Sequence, residues 1–200
     1  MKFALLFVLL FSSAAAFAKD FVFDPEVLAE IARSSMNISD AKERVEFIEK
    51  ALKVRYPKSI NEKATWTFNS VGGALAEMKV LFCSPQEYIN IWGSPIGTEG
   101  HSGRYHQLEV WDVMFAGEMH SYIPGEHEFN VYHPGHTAFL PKGVARGFKL
   151  LPQTYMIDYG RGSLISAMGD GASAGHKYVT RDRVAAKQIT HDCMSSMFGR

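Results

Sequence analysis

The sequence predicts a mainly β fold, a jelly-roll β-barrel flanked by N-terminal helices and a C-terminal helix. Over residues 65–159 the apolar residues recur with a period of about two, in eight short runs separated by Gly, Pro and Asn. Amphipathic helical patterns precede and follow this region. The chain has 200 residues, 46% of them hydrophobic and 21% charged, which is typical of one globular domain. We therefore expect a single domain over residues 19–200, with the barrel at about 65–162 and a C-terminal helical segment at 163–200.

The flanking helices are predicted from apolar residues at helical spacing and from capping residues. The first begins near Pro25, and the second begins at Asp40 and stops before Pro57. The third covers residues 180–198, with Thr180 as its N-cap and a charged face that includes Asp192. All three are amphipathic, so each needs an apolar surface to cover.

The first 18 residues have the layout of a targeting segment. Lys2 is followed by a long uncharged run and by Ala16-Phe17-Ala18, an A-x-A cleavage pattern. One interpretation is a cleaved signal peptide. The other is a short N-terminal anchor, although the run is shorter than the roughly 20 residues that span a bilayer. Both predict the secretory pathway, in the lumen or membrane of the endoplasmic reticulum, or export to the periplasm if the source is bacterial.

The charge distribution argues against a nucleic-acid partner. Lys and Arg total 21, Asp and Glu total 21, and the formal net charge is zero. No stretch clusters the basic residues that a phosphate backbone requires. We therefore expect no nucleic acid among the partners.

The stretch HPGHTAFLPKGVARGF at residues 133–148 resembles the second half-motif of cupin barrels. The last position of that motif is usually a metal-binding His, and here it is Arg146. Arginine stays protonated and has no lone pair for a metal. The H-x-H pair of a cupin metal site is absent as well. We therefore expect a cupin-like barrel with no metal and no cofactor.

The two cysteines give no indication of a partner. Cys83 lies in an apolar strand-like run and Cys193 in the predicted C-terminal helix. A disulfide is compatible with a secretory compartment, but nothing in the spacing brings the two together. We expect unpaired, packed thiols.

Two acidic residues lie inside apolar strand patterns. Alternation puts Asp112 on one face with Leu108, Val110 and Met114, and puts Asp158 on one face with Met156. A carboxylate in an apolar barrel is unfavourable unless it is paired, protonated or functional.

Two interpretations of these acids remain open. Each could be a strand-edge carboxylate held by Arg104, Arg146 or Arg161. Alternatively, Asp112 and Asp158 face one cavity and share a proton, because two close carboxylates do not both ionise. Such a pair could move a proton between two carbons or hold a cationic amine.

Four segments resemble one known family: residues 21–23, 72–105, 132–137 and 157–162, among them IGTEGHSGRY and DYGRG. They are similar to fungal sterol C-8 isomerases and the animal sigma-1 receptor. The resemblance implies a cupin-type barrel with an apolar pocket and two carboxylates. In the enzymes this pair shifts a sterol double bond from the 8- to the 7-position, and in the receptor it binds hydrophobic amines without catalysis.

The resemblance also implies roles for particular residues. Asp112 matches the first acid, with Glu109 as the reserve candidate, and Asp158 matches the second, where Glu is usual. Six positions match ligand-binding residues of the pocket: Tyr88, Trp66, Met78, Val80, Trp92 and Tyr105. The implied partners are a sterol, a lipid or a hydrophobic amine, and further copies of the chain in a trimer. Because the C-terminal segment is more polar than in the relatives, we expect membrane docking to be weaker or lost, although an amphipathic helix could still rest on a membrane surface.

Overall fold

The protein is described from a computed structural model, which covers residues 21–167 and 180–198. The predicted targeting segment at residues 1–18 and residues 168–179 of the predicted C-terminal segment lie outside this range. The described residues form ten strands and four helices, and the mainly β class with flanking helices is confirmed.

The two N-terminal helices begin where their capping residues predict. Helix α1 spans Pro25–Ser34, and the Asp24 carboxylate accepts a hydrogen bond from the Glu26 N–H at 2.9 Å. Helix α2 spans Ala41–Arg55, and Asp40 accepts from the Glu43 N–H at 2.9 Å. These side chains satisfy backbone donors that have no partner within the helix.

The strands run antiparallel to their neighbours and form two sheets. They are β1 Thr67–Val71, β2 Ala74–Cys83, β3 Glu87–Ser94, β4 Thr98–His101, β5 Leu108–Ala116, β6 Met119–Tyr122, β7 Asn130–Tyr132, β8 Thr137–Leu140, β9 Gly147–Leu150 and β10 Thr154–Gly162. One sheet has six strands in the order β1-β2-β3-β10-β5-β8, and the other has four in the order β4-β9-β6-β7.

The expected number of eight strands is wrong, because the sequence pattern does not reveal β4 and β6. Both have only four residues, and neither contains the apolar run that marks the equally short β8. Strand β4 contains no aliphatic residue, and β6 follows directly on β5 after a turn at Gly117, whose φ is +71°. Glycine adopts this left-handed conformation without a steric penalty.

The large sheet is covered on both faces, and this arrangement positions the site. Its outer face packs against α1 and α2, with Val113, Phe115 and Ile157 buried beneath them. Its inner face packs against the four-stranded sheet, with Met78 and Trp92 in contact with the cluster around Phe148. Successive residues of each long strand alternate between these two cores. The two packed sheets form the expected cupin-like jelly-roll barrel.

The C-terminal residues cross the barrel as a helix tied to β2. After the short helix α3, Leu164–Ala167, helix α4 spans Arg183–Phe198. It begins later than expected, because Asp182, and not Thr180, accepts from the Ala185 N–H at 2.9 Å. Asp192 was expected to face water, but it is 2% exposed and accepts a hydrogen bond from Gln188 at 3.0 Å.

The expectation of unpaired cysteines is wrong. Cys83 at the end of β2 and Cys193 in α4 form a disulfide, with their Cα atoms 4.9 Å apart. They are separated by 110 residues in the sequence. Their proximity depends on how α4 packs across β2, which neither local pattern contains.

Candidate functional site

A cavity of about 960 Å³ occupies the barrel between the two sheets and below α4. Most of its wall is apolar and includes Val80, Leu140 and Met156. Helix α4 contributes Ile189, Cys193 and Met197 to its cover. A volume of this size holds a large apolar ligand.

Two aspartates face each other across neighbouring strands of this cavity. Asp112 of β5 and Asp158 of β10 are directly paired in the antiparallel register, and both line the cavity. Side chains at paired positions lie on the same face, with Cβ atoms about 4.5–5.5 Å apart. The strand pairing therefore places the two carboxyl groups side by side in an apolar space.

Asp158 is held by two neutral donors from β3. The Tyr88 hydroxyl donates to its Oδ1 at 3.0 Å, and the Asn90 amide donates to its Oδ2 at 3.2 Å. The Tyr88 ring lies across Gly160, where a Cβ would collide with it. Glycine in the DYGRG segment thus gives the tyrosine room to reach the acid.

Asp112 is held by a cation. Arg146, in the segment between β8 and β9, donates from Nη2 to the Asp112 Oδ2. The arginine is 5% exposed, and its backbone is fixed by Ser102, whose Oγ accepts from the Arg146 N–H at 3.0 Å. The Arg146 Nε has no hydrogen-bond partner among the described residues.

These surroundings determine where the proton of the pair lies. Burial, followed by the charge of Asp112, raises the pKa of Asp158 to about 7, although Asn90 and Tyr88 oppose the rise. Burial also raises the pKa of Asp112, and there the guanidinium of Arg146 opposes the rise. Arg146 favours the ionised form of Asp112, so the shared proton belongs mainly to Asp158 near neutral pH.

Tyr88 remains a hydrogen-bond donor at every working pH. Burial and the negative charges of Asp158 and Asp112 raise its pKa well above 10. The arrangement is therefore a protonated acid beside an ionised acid, in a cavity whose wall is mostly apolar. It can deliver a proton to one atom of an apolar ligand and remove one from another.

Five of the six predicted ligand-binding residues line the cavity: Tyr88, Met78, Val80, Trp92 and Tyr105. Their contact with a ligand stays a prediction. Trp66 does not line the cavity. It is 40% exposed and packs edge-on against Tyr155, with ring centroids 6.3 Å apart. It precedes β1 and so lies outside the strand alternation that points the other residues inward.

The reserve acid Glu109 is not brought to the pair. It lies on β5 three positions before Asp112, an odd separation that places it on the opposite face. There its Oε2 lies 3.6 Å from the Nε of Arg161. The strand register thus selects Asp112 as the partner of Asp158.

The interpretation that arginines hold these acids applies to one of the two. Arg146 holds Asp112, whereas Arg104 donates to the Gly143 carbonyl at 2.5 Å and Arg161 faces Glu109. The donors to Asp158 are instead the uncharged Tyr88 and Asn90.

From the sequence, Arg146 is expected only as one of three arginines that could hold an acid, and neither Asn90 nor any residue of α4 is given a role in the site. Two of these omissions had a usable signal. Asn90 alternates with Tyr88 and Trp92 on β3, and Arg146 occupies the position of the metal-binding His in the cupin motif. The contribution of α4 had no such signal, because it depends on tertiary packing.

Metal sites and membrane spans are both absent from the part of the chain that the structure describes. Within residues 21–167 and 180–198, no group of three or more His, Cys, Asp or Glu side chains is placed to hold a metal ion. None of the helices in those two ranges is long and apolar enough to cross a membrane.

The fold and the site together define a class, a cupin-like barrel with an opposed carboxylate pair in an apolar cavity. The family described as "ERG2 and Sigma1 receptor like protein" matches residues 1–198. The chain belongs to this family.

Several curated relatives are similar over most of the chain. The "Protein erg2 homolog" of Dictyostelium discoideum is 34% identical over 145 residues, which are 72% of this chain and 61% of that protein. The "C-8 sterol isomerase" of Neurospora crassa is 33% identical over 146 residues, or 71% of this chain and 57% of that protein. The chain thus spans about three fifths of the length of these relatives.

Solved structures with a similar fold include KdgF from Halomonas sp. and the polyketide cyclase RemF from Streptomyces resistomycificus. The first has a TM-score of 0.43 and 18% identity, covering 51% of this chain and 91% of that chain. The second has a TM-score of 0.42 and 15% identity, covering 50% and 74% respectively.

Proposed function

We propose that the protein is a sterol isomerase that moves a ring double bond from the 8-position to the 7-position. The observation that carries this proposal is the direct pairing of Asp112 and Asp158 in an apolar cavity, with different partners on each acid. Relatives named C-8 sterol isomerase, at about a third identity, support it further.

In this mechanism Asp158 is the proton donor. It transfers its proton to C9 of the bound 8-ene, and the electrons of the double bond form the new C9–H bond. A tertiary carbocation remains at C8. The cation lies beside Asp112 and the newly ionised Asp158, whose two negative charges exceed the one positive charge of Arg146 and stabilise the cation in the mostly apolar cavity.

Asp112 then completes the reaction as the base. It removes a proton from C7, and the electrons of that C–H bond form the C7–C8 double bond. Before the next turnover Asp112 releases this proton to water and Asp158 takes one from water, so no net charge or atom is gained or lost. Tyr88 and Asn90 stabilise Asp158 during the interval in which it is ionised.

The disulfide bears on where this activity takes place. Disulfides persist in oxidising compartments and are rare in the cytosol. Together with the predicted targeting segment, the Cys83–Cys193 bond supports a position in the secretory pathway. We propose the endoplasmic reticulum, because a sterol isomerase takes its substrate from a sterol-synthesising membrane system.

The isomerase is tested by incubating the purified full chain with an 8-ene sterol in deuterated water. We expect a 7-ene product that carries one deuterium at C9, detected by mass spectrometry. Asp158→Asn should lower the rate at least about a hundredfold, the range expected for loss of a general acid. Glu109→Gln, on the other face of β5, is the matched control and should retain activity. No conversion by the wild type would overturn the proposal.

A further inference from the structure

We propose that Arg146 is a positioning residue that sets ligand specificity: it neutralises Asp112, so that the cavity favours uncharged apolar ligands over cationic amines. This inference rests on the same cavity as the proposed function and names the class of ligand that it accepts. It separates the sterol from the hydrophobic amine, the two ligands that the family resemblance implies.

The position of Arg146 is built into the fold. Its backbone is clamped to Ser102 by two hydrogen bonds: the Arg146 N–H donates to the Ser102 Oγ at 3.0 Å, and the Ser102 N–H donates to the Arg146 carbonyl at 2.9 Å. The side chain is 6% exposed and lines the cavity beside Asp112. It is therefore a fixed charge of the wall and not a mobile surface cation.

The charges that line the cavity favour a neutral ligand. Among the described residues of its wall, the charged ones are two aspartates, Asp112 and Asp158, and three arginines, Arg146, Arg181 and Arg183. Arg181 and Arg183 are exposed at the α4 end, so their effect is screened by solvent. Two acids that share one proton carry one negative charge between them, and the buried Arg146 cancels it.

A ligand ammonium in this cavity would meet a like charge that cannot be removed. Arginine does not lose its proton in proteins, and repulsion between like charges is strong where water is excluded. An uncharged sterol meets no such repulsion. Without Arg146 the acid pair would carry a net negative charge, and an amine would then be attracted.

The test compares two ligands that differ in charge, N,N-dimethyldodecylamine and 1-dodecanol. Their dissociation constants are measured at pH 5.5, where the acid pair keeps its shared proton, for the full-length wild type, Arg146→Met and Arg146→Lys, with circular dichroism to verify folding. In Arg146→Met we expect the preference for the amine over the alcohol to rise at least tenfold. Arg146→Lys retains the cation and should behave as the wild type.

A double variant separates charge from packing. Asp112→Asn combined with Arg146→Met removes one charge of each sign, so the preference should return to the wild-type value. A folded Arg146→Met protein with an unchanged preference would overturn the proposal. If that variant does not fold, the wild type decides: tighter binding of the alcohol than of the amine supports the proposal, and tighter binding of the amine overturns it.

The outcome is independent of turnover, because only binding is measured. A raised preference for the amine in Arg146→Met, together with no conversion of the 8-ene sterol, would support the role of Arg146 and overturn only the isomerase. Conversion of the sterol with an unchanged preference would support the isomerase and overturn the role of Arg146.

Discussion

At the scale of single residues, the two aspartates of the cavity differ in protonation because they have different neighbours. Asp158 accepts hydrogen bonds from uncharged groups and lies beside another acid, so its neutral form is favoured. Asp112 is bonded to Arg146, which favours its ionised form. A proton donor and a proton acceptor thus arise from identical residues, as pairs of carboxyl groups in different surroundings generally allow.

The protonation of Asp158 predicts the pH profile of isomerisation. The active form has Asp158 protonated, so kcat/KM should fall as the pH rises through the pKa of this acid, about 7. The groups that act on this acid are Asp112 on β5, Tyr88 and Asn90 on β3, and Arg146. The measurement is kcat/KM for the 8-ene sterol on both sides of neutral pH.

Tyr88→Phe is expected to move the alkaline limb of this profile to higher pH. The tyrosine donates to the Asp158 carboxylate and so lowers the pKa of that acid; removing it raises the pKa. Tyr122→Phe, at a half-exposed position away from the cavity, is the control and should leave the limb in place. A shift of the limb to lower pH in Tyr88→Phe would contradict the role given to this hydrogen bond.

At the scale of elements, α4 covers part of the cavity and is held in three ways. Ile189 and Met197 pack on the inner core of the barrel, and the Cys83–Cys193 disulfide ties the helix to β2. The buried Asp192 also accepts a weak hydrogen bond from the Thr65 N–H at 3.4 Å. Helix α4 is thus packed into the folded core of the barrel.

Removal of the disulfide should loosen α4 before it loosens the barrel. Cys83→Ala combined with Cys193→Ala opens a loop of 110 residues, and the expected loss in free energy of unfolding is about 2–4 kcal/mol. Hydrogen exchange at the α4 amides should accelerate, whereas exchange in β10 should change little. Dithiothreitol treatment of the wild type should reproduce the effect. Unchanged exchange in α4 would mean that packing alone holds the helix.

Strand alternation explains why the acid pair could be predicted from the sequence. Each long strand of the large sheet is buried on both faces. Whether a residue has an odd or an even position along the strand, its parity, therefore determines which of the two cores its side chain faces. Parity placed Asp112 and Asp158 toward the interior, and the same parity would have excluded Glu109.

Other features depended on packing that no local pattern contains. The pairing of Cys83 with Cys193 depends on how α4 crosses β2. Glu87 shows that a buried acid is not in itself a site: it is 3% exposed, and it accepts hydrogen bonds from the Val22 N–H at 2.7 Å and the Tyr159 hydroxyl at 3.1 Å. The partners of an acid, and not its burial, separate the structural carboxylate from the candidate catalytic ones.

At the scale of the whole molecule, the site lowers the stability of the fold. In the unfolded chain Asp158 ionises at the usual pKa of an aspartate, about 4, whereas the folded chain keeps the proton until about pH 7. The raised pKa therefore stabilises the folded state, and this contribution is present in full only below about pH 4. It is lost as the pH rises from about 4 to 7. A shift of this size corresponds to a loss on the order of 4 kcal/mol above pH 7.

Asp158→Asn should therefore be more stable than the wild type at pH 8 and nearly equal to it at pH 4. Asparagine mimics the protonated acid and does not ionise, so its folded state avoids the loss. Asp112→Asn is the matched comparison. It leaves the buried Arg146 without its partner and should be less stable by about 3 kcal/mol at pH 8. Urea unfolding at pH 4, 5.5, 7 and 8 measures the differences. If Asp158→Asn were the less stable protein at pH 8, the folded state would favour the ionised carboxylate, and the assignment of Asp158 as the proton donor would fail with it.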